Sequence, residues 1–468
     1  MSKADKTIYN TDNLENLYRI FSESTGVTTD SRAVSQGSIF FAIKGDNFDG
    51  NRFALAALEA GAAYAVIDDP TIVTAIAEER DITDNSCKNT LKNGLILTEN
   101  ALVALQRLAA HHRRKLGIPI LALTGTNGKT TTKELIAAVL STEYIVSATS
   151  GNLNNHIGVP LTILGMGRDT EVGVVEMGAS APGEIATLAA IAAPDVVLIT
   201  NVGKAHLLGF GSFDGVKKAK GELYDYIVDN GGTILYNRDN PHLCQMLAEK
   251  VFPDAIPYGM EYQRAELLIS SQKEPFLRIR MADGILISTN LIGSYNADNV
   301  TAAIAVGEYF GIAPKRSAKA ISEYVPKNNR SQLICKNGNT IIVDAYNANP
   351  TSMKMALENF AAMNLNHKNL ILGDMLELGI DSQAEHRAIL ELIEGIKNIE
   401  RCFFVGQEFR KSYDSLNDRE RRSGLKNAVF FDNSSQLHDF LAEEKLSEKS
   451  FLIKGSRGTR LEVTLPIF

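Results

Sequence analysis

The segment 124–134, which reads TGTNGKTTTKE, has the residue types of a loop that binds nucleotide phosphates. A strand is predicted before it, at 120–124, and a helix after it, at 131–140, which is the usual context of such loops. Gly125 and Gly128 leave backbone N–H groups free to converge on phosphate oxygens, and the helix adds the positive end of its dipole. The alternative is an ordinary strand-to-helix turn capped by threonine, which the Gly-Lys-Thr sequence disfavours.

The loop is shorter than the usual phosphate-binding pattern, because Leu123 occupies the position where that pattern has its first glycine. Lys129 has the length to reach the outer phosphates of a nucleotide, and the hydroxyl of Thr130 suits Mg²⁺. The sequence therefore predicts a nucleotide site, and the short spacing raises the question of which reaction the nucleotide drives.

Three further residues near strand ends could serve phosphate chemistry. Glu176 ends the apolar strand VGVVEM, and a buried carboxylate is costly unless it is paired or bound to a metal, so it is a candidate Mg²⁺ ligand. A salt-bridged glutamate is the alternative. His206, in TNVGKAHLLGF, is by itself more often a structural histidine than a ligand. Lys220, in GVKKAKGELYD, is predicted at the start of a helix, where it reads by itself as a solvated surface lysine.

The segment 344–350, DAYNANP, places a carboxylate, a phenol and two amides in one short loop after a buried strand. Such a loop can hold a polar, amide-like ligand. A turn whose asparagines satisfy their own backbone is an equally good interpretation of these residues alone.

These residues follow strands in a chain that alternates short apolar strands with amphipathic segments of helix length, which predicts an α/β fold with mostly parallel sheets. Ligands collect at the carboxyl ends of the strands in such sheets, and polar residues, Asp374 among them, stand at nearly every predicted strand end. We place domain boundaries near 116–119 and in the turn-rich segment 325–329. The predicted strands are 39–43, 64–67, 120–124, 172–177, 195–201, 233–236, 340–345, 369–374, 401–406 and 451–455.

The composition is that of a globular chain, with 468 residues, 44% hydrophobic residues, 22% charged residues and a net charge of −7. The negative charge gives no reason to expect nucleic acid as a partner. We expect a cytoplasmic, soluble protein with no membrane insertion, because no apolar segment has the length of a signal peptide or a membrane span. Four cysteines lack C-x-x-C spacing and are expected to be buried thiols: Cys87, Cys244, Cys335 and Cys402.

Taken together and in order, the motifs resemble the ATP-dependent Mur ligases of peptidoglycan synthesis. The resemblance runs from Thr29 to Arg457 and rests on TGTNGKTTTKE, the Glu176 strand end, NVGKAH, AKGE, YNANP, LGDMLELG and KGSR. Within the family, GNLNNHIGVPLTIL (151–164) and DAYNANP resemble the branch that adds D-alanyl-D-alanine to UDP-N-acetylmuramoyl-tripeptide. The family implies three α/β domains: an N-terminal UDP-binding domain (1–116), a central P-loop ATPase-like domain with a parallel sheet (117–326) and a C-terminal Rossmann-like domain (327–468).

The resemblance implies ATP as a substrate, two Mg²⁺ sites and a carbamylated Lys220, which would turn a repulsive ammonium into a carboxylate-like anion. The catalytic residues it implies are Lys129, Glu176, His206 and Lys220, and the metal ligands are Thr130, Glu176, His206 and Lys220 as carbamate. The ATP-binding residues it implies are Thr126, Asn127, Gly128, Lys129, Thr130, Thr131, Asn237, Asp239, Asn296, Asn299, Arg330 and Asp344.

The resemblance also implies residues for the other two substrates. They are Ser31 and Arg32 for the UDP end, Asn154, Asn155 and His156 for the muramoyl peptide, Tyr346, Asn347 and Asn349 for the incoming dipeptide, and Lys454 and Arg457. The sequence departs from the family in three places. Asn51 and Tyr295 stand where relatives often have histidine, and KGSRGTRLE differs from the common ending of this branch.

The reaction that this predicts is amide synthesis through an acyl phosphate, with domain closure around ATP and a monomeric enzyme. A sibling ligase that adds the third amino acid, or a folylpolyglutamate synthase-like enzyme, is the nearest competing function. The absence of a D-N-P-R motif argues against the sibling that adds a diamino acid. A nucleotide-dependent switch leaves the three acceptor-like loops without a purpose, and a non-catalytic relative leaves the phosphate residues unexplained.

Overall fold

The computed structural model describes residues 14–45, 48–72, 94–250, 252, 254–268, 275–326, 330–416, 425–444 and 446–468. Its strands are β1 (Val27–Thr28), β2 (Ile39–Phe41), β3 (Lys44–Gly45), β4 (Phe48–Asp49), β5 (Tyr64–Ile67), β6 (Leu95–Leu97), β7 (Ile120–Thr124), β8 (Val146–Ala148), β9 (Val172–Glu176), β10 (Val196–Ile199), β11 (Thr233–Asn237), β12 (Ile256–Tyr258), β13 (Glu266–Leu268), β14 (Phe276–Arg280), β15 (Leu286–Ile292), β16 (Gln332–Lys336), β17 (Asn339–Asp344), β18 (Lys368–Gly373), β19 (Ile399–Val405), β20 (Ala428–Phe431) and β21 (Ser450–Lys454).

The α-helices are α1 (Leu14–Glu23), α2 (Ala54–Glu59), α3 (Ala101–Leu116), α4 (Lys129–Leu140), α5 (Gly158–Leu164), α6 (Glu184–Ala192), α7 (Leu207–Phe210), α8 (Phe213–Asn230), α9 (Pro241–Ala248), α10 (Ala297–Tyr309), α11 (Pro314–Glu323), α12 (Pro350–Ala362), α13 (Ser382–Gly395), α14 (Gln407–Asp414) and α15 (Ser434–Ala442). Short 3-10 helices are Ser31–Ala33, Gly50–Phe53, Ser294–Asn296, Gly379–Asp381, Arg457–Thr459 and Leu461–Ile467.

The α/β class predicted from the sequence is confirmed. Each predicted strand is present, and its ends differ from the predicted ends by no more than two residues. The helix predicted from 131 begins earlier, at Lys129, because Gly128 adopts the left-handed conformation (φ 77°) that ends the loop. Cys87, residues 46–47 of the predicted UDP-binding domain and residues 327–329 of the turn-rich segment at the second predicted boundary lie outside the described residues.

The chain falls into two compact units. The first consists of Met1–Ala122, Ile145–Gly178 and Glu184–Val196, and the second consists of Leu123–Tyr144, Ala179–Gly183 and Val197–Phe468. Strand β7 begins in the first unit and ends in the second. The division into three domains at 116 and 326 stays a prediction.

The first unit contains a four-stranded parallel sheet in the order β1-β2-β5-β6. Its core includes Phe40 of β2 and Ile67 of β5, which are buried together with Ala57 of α2. Alternate strand residues lie on one face of the sheet, and this face is covered by α2. Helix α3 begins at the cap of Asn100, ends at Gly117 in the left-handed conformation, and packs against α1, α5 and α6. Strands β8 and β9 of this unit pair in parallel and carry Glu176 at their end.

The second unit begins with the phosphate loop and α4, which packs against α10 and α11. Strands β11 and β12 pair in parallel, and β13, β14 and β15 form a separate antiparallel sheet. Helices α10 and α11 hold the helix that follows the phosphate loop from one side, so the direction of the loop is set by packing of α4.

The C-terminal part of the second unit is a six-stranded sheet in the order β16-β17-β21-β18-β19-β20, parallel except for the edge strand β16. Successive strand residues belong to opposite hydrophobic clusters, as Leu370 and Ile371 do, so both faces are covered. Helices α12, α13 and α14 cover one face, and α15 with the last 3-10 helix covers the other. The last strand, β21, lies between β17 and β18, which brings residues near the C-terminus to the middle of the sheet.

The cysteines are only partly as predicted. Cys402 is buried, Cys244 is half-buried and Cys335 is exposed, because Cys335 lies on the edge strand β16. All three are free thiols. Among the described helices, none combines the length and the hydropathy that crossing a membrane requires.

Candidate functional site

The phosphate loop is compact because two glycines pack where no side chain fits. Gly125 has φ 147°, and a Cβ there would lie 2.0 Å from Oγ1 of Thr200. Gly128 has φ 77°, and its Cβ would lie 2.5 Å from Oδ1 of Asn299. The N–H of Thr126 donates to the carbonyl of Asn201, and the N–H of Asn127 donates to Oδ1 of the same residue, each at 2.9 Å. The loop is therefore rigid and pressed against the end of β10.

Several groups of this loop suit a phosphate. The Nδ2 atom of Asn127 is buried and has no hydrogen-bond partner within the described part of the chain. The Nζ atom of Lys129 lies over the loop and donates to the carbonyls of Gly125, at 2.7 Å, and of Thr126, at 3.2 Å. Thr130 is buried at the second position of α4. An unsatisfied buried donor beside a lysine and a helix N-terminus is an arrangement that an anion completes.

Two predicted nucleotide residues form a buried hydrogen-bond chain next to this loop. Thr132 donates to Oδ1 of Asn299 at 2.9 Å, and Nδ2 of Asn299 donates to Oδ1 of Asn296 at 2.8 Å. The Nδ2 atom of Asn296 then donates to the carbonyl of Ile292 at 2.8 Å. This chain fixes α4 against α10, and so it fixes the position of the loop.

Asn237 and Asp239, which are also predicted to bind the nucleotide, organise a turn. Oδ1 of Asn237 accepts the N–H of Asp239 at 2.9 Å, and the Asp239 carboxylate accepts the N–H of Glu261 at 2.7 Å. Burial raises the pKa of the neighbouring Asp298, although a hydrogen bond from Asn237 opposes the shift. The polar groups at the end of β11 are thus held in fixed orientations.

Glu176, in the first unit, carries an unsatisfied buried oxygen. Its side chain is 1% exposed, and its Oε1 accepts a hydrogen bond from Nδ2 of Asn154 at 2.8 Å. Its Oε2 is buried and lacks a hydrogen-bond partner within the described part of the chain. A buried carboxylate oxygen of this kind is suited to a cation. The neighbouring Asn155 uses its Oδ1 to accept the N–H groups of Ile157 and Gly158 at the start of α5.

His206 lies in the second unit with its Nδ1 in a short contact with Oε2 of Glu377. Its backbone is in the left-handed region (φ 50°), so the ring is held at a sharp turn. Burial lowers the pKa of His206, and the positive charges of Lys129 and Lys220 act in the same direction, while Glu377 opposes them. The imidazole is thereby kept neutral, which is the form that binds metals. Glu377 stands in LGDMLELG, and its residue type and spacing alone indicated no role for it.

The two local predictions for Lys220, that it starts a helix and that it is a solvated surface residue, are wrong. Helix α8 begins at Phe213, after the cap of Ser212, so Lys220 lies well inside the helix and is 2% exposed. Its Nζ lies 3.5 Å from the carbonyl of Ala179 and 5.5 Å from the ring centroid of Phe210.

The loop after β17 contacts the phosphate loop. Nδ2 of Asn349 donates to Oδ1 of Asn127 at 2.8 Å, while Oδ1 of Asn349 accepts the N–H of Ser352 at 2.9 Å and caps α12. Asp344, which ends β17, pairs at 2.5 Å with Lys454, which ends β21 and is 1% exposed. Lys454 also donates to the carbonyl of Asn347 at 3.3 Å, so these three predicted residues form one cluster.

A cavity of about 620 Å³ lies in the second unit beside these loops. Gly203 and Lys204 line it on one side, and Thr351 of α12 and Glu385 of α13 line it on another. Lys204 and Glu385 form an ion pair at 2.6 Å across it. The cavity gives a small molecule room next to the phosphate loop.

Asp374, singled out as a strand-end residue, and Asn51, singled out as a departure from the family, have structural roles. Asp374 accepts the N–H groups of Glu408, at 2.9 Å, and Phe409, at 3.0 Å, and so fixes the start of α14. Asn51, buried at 1% exposure, donates to Asp49 and Asp68 at 2.8 and 2.9 Å. Their side chains are occupied by the fold itself.

The structure also describes Tyr295, which departs from the family, and the residues predicted to bind the UDP-muramoyl substrate. The hydroxyl of the half-buried Tyr295 hydrogen-bonds with Oγ of Ser331 at 2.8 Å, and desolvation raises the pKa of this phenol. Arg32 is exposed and donates to Asp30 at 2.9 and 2.8 Å, which lowers the pKa of Asp30 to about 2. Ser31 starts the short 3-10 helix that Asp30 caps, and the carbonyl of His156 accepts a hydrogen bond from Gln106 at 3.0 Å.

Among the described residues, no group of three or more His, Cys, Asp and Glu side chains is gathered at one point. A Mg²⁺ site does not require such a group, because this ion keeps several waters and takes the rest of its ligands from one or two carboxylates and from substrate phosphates. The candidate ligands Glu176 and His206 each offer one atom of the correct type, a carboxylate oxygen and a neutral imidazole nitrogen.

Comparisons with known proteins match nearly the whole chain. Three family models match: "Mur ligase family, catalytic domain" at residues 23–113, "Mur ligase middle domain" at 123–307 and "Mur ligase, glutamate ligase domain" at 329–457. The UDP-N-acetylmuramoyl-tripeptide--D-alanyl-D-alanine ligase of Bacillus subtilis (strain 168) is 36% identical over 93% of this chain and 91% of its own length.

Solved structures agree with the sequence matches. A crystal structure of MurF from Acinetobacter baumannii has a TM-score of 0.79 and 26% identity, and the match covers 98% of each chain. The MurF ligase from Thermotoga maritima in complex with ADP has a TM-score of 0.76 and 26% identity, with 96% of this chain and 97% of that chain covered. The likeness therefore extends over the whole fold and includes a nucleotide-bound relative.

Proposed function

The chain belongs to the Mur ligase family, and on that basis we propose that it joins D-alanyl-D-alanine to UDP-N-acetylmuramoyl-tripeptide in peptidoglycan synthesis, with conversion of ATP to ADP and phosphate. The observation that carries this proposal is the 2.8 Å hydrogen bond from Asn349 to Asn127. It ties the loop assigned to the incoming dipeptide to the loop assigned to the phosphates, as a reaction that couples phosphate transfer to amide formation requires.

In the first step the carboxylate of the tripeptide attacks the γ-phosphorus of ATP. The bond from this phosphorus to the β–γ bridging oxygen breaks, ADP leaves, and an acyl phosphate forms. Lys129, the amide of Asn127 and the backbone N–H groups of the first turn of α4 stabilise the charge on the transferred phosphoryl group. Because the loop is rigid, these donors are oriented before the reaction begins, and little reorganisation accompanies the transfer.

The metal ligands of this mechanism are Thr130, Glu176, His206 and the carbamate of Lys220. Bound Mg²⁺ supplies positive charge that neutralises the phosphate oxygens. The chain would offer ligand atoms of the correct type. Oε2 of Glu176 has no hydrogen-bond partner in the described part of the chain, and burial lowers the pKa of His206, which favours its neutral, metal-binding form.

Carbamylation of Lys220 fits its surroundings. The ammonium form raises the local positive charge beside His206 and Lys129, whereas a carbamate reverses it and offers two oxygens. Protein prepared with ¹³C-labelled bicarbonate should show a carbamate signal by NMR, and the Lys220→Arg variant should lose it. A wild-type protein without this signal, at full ligase activity, would contradict the modification.

In the second step the neutral amine of the dipeptide attacks the acyl carbon. A tetrahedral intermediate forms, the amine loses its proton, and phosphate leaves with the bonding electrons of the C–O bond. We assign Tyr346, Asn347 and Asn349 to the dipeptide. We assign the other substrate to residues of the first unit, with Asn154, Asn155 and His156 at the peptide and Ser31 and Arg32 at the UDP end.

We further propose that the chain acts as a cytoplasmic monomer with three domains, 1–116, 117–326 and 327–468. The three family models end and begin close to these boundaries, at 113 and 123 and at 307 and 329. Limited proteolysis should cut near them, and light scattering should give the mass of one chain.

Incubation of the purified protein with ATP, Mg²⁺, UDP-N-acetylmuramoyl-tripeptide and an equimolar mixture of amines tests the function. The mixture contains D-alanyl-D-alanine, a diamino acid and glutamate, and mass spectrometry identifies the product. Only the dipeptide adduct should form, and Lys129→Ala should abolish it. A diamino acid or glutamate adduct would identify a sibling ligase or a folylpolyglutamate synthase-like enzyme, and slow hydrolysis without an adduct would indicate a nucleotide switch.

A further inference from the structure

The ring of Tyr346 is in contact with two arginines from distant parts of the chain. The guanidinium carbon of Arg330 lies 3.5 Å from the ring centroid, and that of Arg457 lies 5.7 Å from it. Tyr346 follows the end of β17, and Arg457 follows the end of β21, which is hydrogen-bonded to β17. The sheet therefore gathers two positive charges on one aromatic platform at the carboxyl ends of its strands.

These two charges are not neutralised by the described part of the protein. The adjacent pair of Asp344 and Lys454 is closed, at 2.5 Å. Arg330 and Arg457 are in no side-chain ion pair or side-chain hydrogen bond with another residue of the described ranges, and both contact the ring. A stacking contact uses the face of a guanidinium and leaves its N–H groups available to an anion.

We propose that Arg457 binds the C-terminal carboxylate of the incoming dipeptide and that Tyr346 positions Arg457 for this contact. The inference rests on the proposed function and identifies the residue that makes the enzyme specific for an acceptor with a free carboxylate. The attacking amine must be neutral, so the carboxylate is the one permanent charge of the dipeptide in the reaction. A guanidinium binds it with two parallel N–H···O bonds, which a lysine cannot reproduce.

The position of the cluster agrees with this assignment. Tyr346 and Asn349 belong to one short loop, and Asn349 is hydrogen-bonded to the phosphate loop at 2.8 Å. This hydrogen bond places the loop of Tyr346 against the phosphate loop, which is consistent with a dipeptide that is anchored at Arg457 and directs its amine toward the acyl phosphate. The triphosphate of ATP is the other anion of the reaction, and an arginine can bind it in the same way as a carboxylate. The family resemblance assigns Arg330 to this triphosphate.

The test compares D-alanyl-D-alanine with D-alanyl-D-alaninamide, which keeps the amine and both methyl groups but lacks the carboxylate. For the wild type, kcat/KM should favour the acid by about 10-fold or more, the usual effect of a charge-assisted hydrogen bond. In Arg457→Gln this preference should fall to nearly one, with KM for ATP unchanged. Arg457→Lys should recover part of the preference.

The matched control is Arg410→Gln. Arg410 also lies over an aromatic ring, 5.4 Å from the centroid of Phe430, but it belongs to α14 and its guanidinium donates to the carbonyl of Phe430 at 3.1 Å. This variant should keep the wild-type preference for the acid. Equal use of acid and amide by the wild type would overturn the inference, and this arm does not depend on the folding of any variant.

A raised KM for ATP in Arg457→Gln, with the acid preference intact, would assign Arg457 to the nucleotide and also overturn the inference. Failure of the proposed function has a different signature. In that case the wild type forms no adduct with either dipeptide, whereas failure of the present inference leaves adduct formation with both.

Discussion

The Nδ2 atom of Asn349 donates a hydrogen bond to Oδ1 of Asn127, and Oδ1 of Asn349 caps helix α12. One side chain thus connects the phosphate loop to the C-terminal sheet and also starts the helix that packs on that sheet. The two hydrogen bonds use different atoms, so substitutions can separate the connection from the cap.

We expect Asn349→Ser to keep the cap and lose the connection. Serine caps helices as well as asparagine does, so the thermal midpoint should stay close to the wild-type value. The ligase kcat/KM should fall by about 3- to 10-fold, the equivalent of one neutral hydrogen bond. Asn349→Ala should show the same kinetic loss and, in addition, a loss of about 1 kcal/mol in the free energy of unfolding. Unchanged kinetics in Asn349→Ser would mean that the connection does not serve catalysis.

Glu176→Gln tests the unsatisfied carboxylate oxygen in the first unit. Glutamine keeps an oxygen that can accept from Asn154, so the fold should be retained. Loss of the negative charge should lower kcat by about 100-fold or more, since charge stabilisation in the transition state depends on it. The Mg²⁺ concentration needed for tight ADP binding, measured by calorimetry, should rise. Glu171→Gln is the control, because the Glu171 carboxylate is exposed and accepts only the N–H of Ile145 in the described structure.

Gly125→Ala tests the compact form of the phosphate loop. A Cβ there would lie 2.0 Å from Oγ1 of Thr200, and the backbone φ of 147° is strained for alanine. We expect a loss of roughly 1–3 kcal/mol in the free energy of unfolding and weaker ATP binding. Removing Oγ1 with Thr200→Ala should recover part of the loss in the double variant, as a double-mutant cycle would measure. Strictly additive effects would show that the clash is not the cause.

His386 should make stability depend on pH. Its Nε2 accepts the N–H of Met375 at 3.0 Å, its Nδ1 lies 2.7 Å from the carbonyl of Ser382, and the ring is fully buried. Burial lowers its pKa below the value of about 6.5 in the unfolded chain, while the carboxylates of Asp374, Glu408 and Glu385 oppose the shift.

Because the unfolded chain takes up the proton first, the free energy of unfolding should fall as pH drops below about 6.5, by up to about 1.4 kcal/mol per pH unit. The loss should continue until the pH reaches the lowered pKa of the folded state. Urea unfolding between about pH 5 and pH 7.5 measures this slope. In His386→Gln the slope should be smaller by the contribution of this one group. An identical slope in the wild type and the variant would exclude the histidine as its source.

The strand, loop and helix at 120–140 were predictable from the sequence because their determinants are local. A buried strand, two glycines and the Gly-Lys-Thr start of a helix stand within one short segment, and Gly125 and Gly128 adopt the conformations that such a loop needs. The α/β class was predictable for the same reason, since each strand and helix shows its own pattern.

Burial and partners were not predictable where they depend on distant elements. Lys220 has a charged local sequence, yet packing of α8 against α7 buries it beside Phe210. The cluster of Arg330, Tyr346 and Arg457 depends on β21 entering the middle of the sheet, which no local pattern indicates. Glu377 was overlooked because its contact with His206 joins two loops that are far apart in the chain.

The most direct test of the central claim measures phosphate release from ATP. The assay contains UDP-N-acetylmuramoyl-tripeptide and is run with and without D-alanyl-D-alanine. The assay should show rapid phosphate release only when both substrates are present, with one UDP-muramoyl-pentapeptide formed for each phosphate. Release at the same rate without the dipeptide, or with the dipeptide but without an amide product, would contradict the assignment of this chain as the ligase for D-alanyl-D-alanine.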